Sequence, residues 1–120
     1  MGKHFLDDAE DAVNTATGRH PAGLGEALGG IGSVGEILKG LAHIVGTLEI
    51  EYRSLASADD RLRFEPYPGE PNQSTDDARD ELLRLLAAVR TQLENSAVPT
   101  VERVTYLAAR LRESPRTHRP

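Results

Sequence analysis

The sequence predicts an all-α fold: an antiparallel helical hairpin with short flanking helices, closed into a four-helix bundle by dimerisation. Three observations carry this. Residues 33–57 keep a 3-4 alternation of apolar positions, Val34, Leu38, Leu41, Val45, Leu48, Tyr52 and Leu55, with Ile37 and Ile44 widening the stripe. Such a run is a heptad seam. A second apolar face, Leu82, Leu85, Leu86, Val89 and Leu93, lies within residues 74–97. Finally, three Tyr, two Phe and no Trp leave the core to aliphatic side chains. That composition suits helix-on-helix packing better than a sheet sandwich.

The elements follow in order. Residues 1–20 hold a short acidic helix over 5–17, with Asp7, Asp8, Glu10 and Asp11 in its first turns, where the helix dipole favours them. Gly18 and Pro21 end it. Residues 21–113 form the helical-bundle domain. Two turns over 21–30 open on Pro21 and close on Gly29-Gly30. Ser33 and Glu36 then have the capping-box spacing that starts the long helix 33–57. Asp59-Asp60 and the run EPYPGEPNQ make 58–73 a loop. Ser74 or Thr75 caps the second long helix, 74–97. Val98-Pro99 marks a break, and Pro99 suits the first turn of a last helix, 99–113, with Val101, Val104, Leu107, Ala108 and Leu111 on its face. Residues 114–120 are expected to be a disordered tail.

The glycine-rich stretch GLGEALGGIGSVGEILKG, residues 23–40, is the most distinctive feature. A phosphate loop is excluded by spacing: neither G-x-G-x-x-G nor a Gly-Lys-Ser/Thr order is present. A membrane span is disfavoured because the uncharged stretches 27–35 and 40–48 fall well below ~20 residues. The remaining reading is a packing surface in which Gly35, Gly40 and Gly46 let another helix approach.

Chemistry finds no foothold. Cysteine is absent, so no disulfide framework, thiolate site or cysteine nucleophile exists. His43 lies on the long helix, but no Glu-x-x-His or His-Glu-x-x-His occurs. Glu49 and Glu51 fall on different faces of a helix and read as solvated charges. Arg84 and Arg90 read as surface partners of Asp80 and Glu94. The net charge of −5 divides into −6 for residues 1–60 and +1 for 61–120. An acidic chain argues against general nucleic-acid binding.

The expectation is therefore a non-enzymatic protein–protein interaction or oligomerisation module, without cofactor or metal, acting on itself as a homodimer or on another protein. Its interface draws on the nine residues of the first stripe and on Leu82, Leu86, Val89 and Leu93. A second reading is a regulatory or nucleic-acid-binding protein using Arg103, Arg110 and Arg112. A third is a reversible membrane-surface binder using 21–48. The absence of cysteine and of an apolar leader fits a cytoplasmic protein.

Overall fold

The computed structural model describes residues 4–56 and 62–112. All regular structure among them is helical: α1 (Asp7–Ala16), α2 (Leu24–Ala56), α3 (Thr75–Gln92), a π turn (Leu93–Ala97) and α4 (Val98–Arg110). α2 runs antiparallel to the rod made by α3, the π turn and α4. Contacts fix the direction: Gly46 faces Arg90, Gly35 faces Val101, and Lys39 pairs with Glu102 at 3.9 Å. The expected hairpin is present, but it is longer than expected. α2 alone is about 50 Å long at ~1.5 Å per residue.

The length comes from two breaks that do not occur. Gly29-Gly30 and Ser33 were expected to end one helix and start another; instead α2 passes through all three. Glycine lowers helix propensity without removing a donor or clashing, so flanking packing overrides it. Leu28 and Ile31 provide that packing, lining a groove with Ala108 and Leu111. The true start lies at Gly23, whose φ of 120° excludes most side chains. There the Ala22 N–H donates to Glu26 Oε1 at 2.8 Å. Val98-Pro99 is likewise no break. The Val98 N–H donates to the Leu93 carbonyl, a bond one residue longer than an α-helical one. This wide turn immediately precedes Pro99, which has no N–H and whose ring crowds the carbonyl four residues back.

Other expectations hold locally. The Asp77 N–H donates to Ser74 Oγ at 3.0 Å, so Ser74 caps α3. The loop carries a tight turn in which the Glu70 N–H reaches the Tyr67 carbonyl at 3.0 Å, with Pro68 second and Gly69 third at φ 88°. Proline then glycine is the order such a turn demands. Upstream, Phe64 folds back: its N–H donates to Thr75 Oγ1 at 3.1 Å, and it lines one pocket with Tyr52 and Leu82. α1 touches no other helix. The expected tail 114–120 and the start of the expected loop, 58–61, lie outside the described residues.

This is not a compact globule. The radius of gyration is 21.1 Å, against about 14 Å for a chain of this length. The accessible surface is 9550 Å², against roughly 6300 Å² for a folded monomer of this mass.

The continuous α2 makes a testable demand. Gly29 and Gly30 have open space where a Cβ would stand. Gly29→Ala and Gly30→Ala should each raise stability by ~0.5–1 kcal/mol, read as an increase in Tm. A decrease would mean that this segment is not helical.

Candidate interaction surface

The hairpin seam is built on a seven-residue spacing. Gly35, Ala42 and Glu49 point at the facing rod, with Leu38, Val45 and Tyr52 alternating beside them. Ala42 and Glu49 are the only buried residues among those described, at 5% and 4% exposure. A Cβ on Gly35 would lie 3.4 Å from Val101 Cγ1, and one on Gly46 would lie 3.6 Å from Arg90 Cδ. These two glycines therefore mark the close approach that the sequence suggested. Gly40 does not, since its Cβ position is open.

Glu49 is the correction with the largest consequence. It is no solvated charge: Arg90 grips it in a two-pronged pair, Nε to Oε2 at 2.5 Å and Nη2 to Oε1 at 3.2 Å. The Arg90 hydrogen bond holds the Glu49 carboxyl below the usual carboxylate range, against the opposing effect of burial. The same bond raises Arg90 above its usual value. Arg90 also reaches Glu94 at 3.5 Å, so the expected surface pair survives as its lesser contact. Asp80 pairs with Arg79 at 3.5 Å.

The small-residue line decides where the apolar stripe goes. At about 100° per residue, α2 turns Leu38, Val45 and Tyr52 to one side of the Ala42 direction, and Leu41, Ile37 and Ile44 progressively further round. On α3, Leu86, Leu93, Val89 and Leu85 lie to the same rotational side of Arg90. In an antiparallel pair, equal rotation on both helices leads to the same face. One face of the hairpin is therefore apolar from end to end. The opposite groove gathers the charged and polar side chains His43, Arg53, Arg90 and Glu94, beside Ala42, Gly46 and Ile50.

The expected interface residues divide accordingly. Leu38, Val45, Leu48, Tyr52 and Leu55 are half-buried, as are Ile44, Leu82, Leu86 and Leu93. Val34, Ile37, Leu41 and Val89 are exposed, at 41–50%. Leu85, Val104 and Leu107 extend the exposed face, at 41–49%. The hairpin covers one edge of the wide arc on α2 and leaves the rest open.

The arginines stand apart. Arg103 and Arg110 flank Tyr106, with guanidinium carbons 5.0 and 4.8 Å from the ring centroid. Arg112 lines the end groove beside Leu24, Leu28 and Leu111. The structure does not gather the three into one pocket. Among the described residues, no group of three metal-ligating side chains converges.

One expectation about membranes changes. The uncharged stretches are short, but α2 over Leu24–Leu55 is long and apolar enough to cross a membrane by length and composition. Glycines dilute its hydropathy less than charges would, and charges are sparse through its middle.

No family model matches the chain, and no curated protein or solved structure matches it.

The Glu49–Arg90 pair predicts a pH dependence. A carboxylate whose folded pKa is depressed stabilises the fold above its unfolded value of about 4.3, and loses that contribution as pH falls through the folded value. The Tm should therefore fall more steeply between about pH 5 and pH 3 for the native chain than for Glu49→Gln, the two converging in acid. Parallel curves would show that the pair contributes nothing.

Proposed function

We propose that this chain is a non-enzymatic helical oligomerisation module. Its working form is a two-fold homodimer in which two hairpins bury the α2 and α3 parts of their apolar faces against each other as a four-helix core. One observation carries the reading: α2 and α3 offer exposed aliphatic side chains, Ile37, Leu41, Leu85 and Val89, on the same side of the hairpin. Contiguous apolar faces of this kind mark association sites. A two-fold dimer suits a face that is self-complementary along its length.

The membrane reading draws on the hydropathy of α2. It fits the borders of the face along α2 and α3 less well, where Glu51 and Glu81 stand in place of the basic residues that a lipid-bound helix carries; only the α4 end is bordered by arginines, Arg103 and Arg110.

Light scattering at micromolar concentration should give about twice the 13.0 kDa chain mass. Ile37→Glu tests the face itself. Ile37 is half exposed in the single chain, so in a monomer the change should cost no more than ~0.5 kcal/mol. In the dimer it buries a charge, and it should shift the mass to monomer and lower Tm together. A folded monomer indifferent to Ile37→Glu, with the native chain floating on liposomes, would favour the lipid surface instead.

A further inference from the structure

Among the described residues, helix α1 packs on no other helix and the arginine stripe of α4 meets no carboxylate, and the two are complementary in charge. α1 contacts no other helix and has no buried residue. Its one side carries Ala9 and Val13, the latter half exposed, and Phe5 precedes it at 68% exposure. Its other side is acidic. On α4, Val104, Leu107 and Leu111 form an exposed apolar strip bordered by Arg103 and Arg110. Those two arginines are held outward by Tyr106, and among the described residues they have no carboxylate partner.

We infer that α1 of one copy docks along α4 of a second copy. Its apolar side covers Val104, Leu107 and Leu111, and its carboxylates meet Arg103 and Arg110. This deepens the dimer reading and rests on it. Asp7 is already engaged by His4 at 2.7 Å and Asp8 also has a partner, so the pairing falls to Glu10 and Asp11. Charge asymmetry supports the choice of occupant: residues 1–60 carry −6, whereas the arginines crowd into the last part of the chain. The geometry points to a second copy rather than the same chain. The connection 17–23 brings α1 to the end of the hairpin where Leu24 and Leu28 meet Ala108 and Leu111, yet α1 stays clear of its own α4. A two-fold operator makes the exchange reciprocal, one arm and one stripe from each copy. Several charges acting over a shared apolar contact avoid the weakness of an isolated surface ion pair.

The chain contains no cysteine, which allows a clean crosslinking test. A tagged copy carrying Val13→Cys is mixed with a differently tagged copy carrying Leu107→Cys, and oxidised. The control acceptor is Ala88→Cys, exposed on the outer side of α3. The expected result is a bond between the two tags, on the order of tenfold more abundant with Leu107→Cys than with the control, because docking raises the local concentration. Arg103→Glu with Arg110→Glu on the acceptor copy should abolish it. Glu10→Lys with Asp11→Lys on the donor copy should restore it. Equal yields at both acceptors, bonds confined to one tag, or indifference to charge reversal would overturn the inference. Light scattering on the same samples separates the two ideas. A dimer without the cross-copy bond sinks the docking alone, whereas a monomer at every concentration sinks both.

Discussion

Glu49 and Arg90 set the terms for the rest of the molecule. A carboxylate buried between two helices is tolerable only when a cation and hydrogen bonds replace the water it lost. Arg90 supplies both in one fork-shaped contact. The partners come from opposite rods, so the pair ties α2 to α3 at a defined height and rotation. Gly46 makes room for the arginine stem, and Ala42, one heptad before Glu49, lets the backbones stay close. Once Glu49 faces α3, Gly35 and Ala42 must face the rod too.

That rotation has a cost and a use. The hairpin packs through its smallest residues, so it buries little apolar surface for its length. Most of the leucine, isoleucine and valine on α2 is carried round to one side. A monomer of this design is poorly covered, as its accessible surface testifies. The same arrangement makes a continuous apolar face from two helices whose relative position is fixed. One polar contact thus chooses which face is closed inside the chain and which is offered outside it.

Much of this was legible in the sequence. The 3-4 periodicity announced two long helices, and of the two cap candidates, Ser74 and Thr75, it is Ser74 that caps α3. What failed were the breaks. Gly29-Gly30 and Val98-Pro99 are strong punctuation locally, but a facing rod rewards continuity, and a single π turn accommodates the proline. The seam itself was displaced. The run Val34, Leu38, Leu41, Val45 is the more hydrophobic heptad, whereas the hairpin uses Gly35, Leu38, Ala42 and Val45. Maximal hydrophobicity identifies the centre of an apolar arc, not which of its edges a neighbour occupies. A signal for the true seam was present: Gly35, Ala42 and Glu49 repeat at seven residues, and the last places a charge where a solvated one was expected. The distant Arg90 could not be matched to it without the fold.

The central claim is that one face of the hairpin is closed by a second copy while the other stays in water. Its four isoleucines report on this directly, because Ile37 and Ile44 lie on the apolar face and Ile50 lies beside the polar groove, 64% exposed. Methyl spectra of isoleucine-labelled protein, recorded with a soluble paramagnetic agent, would compare them in one sample. The account predicts that Ile50 is broadened at every concentration, while Ile37 and Ile44 are shielded at high concentration and become accessible on dilution. Equal broadening of all three at high concentration, unchanged by dilution, would contradict it.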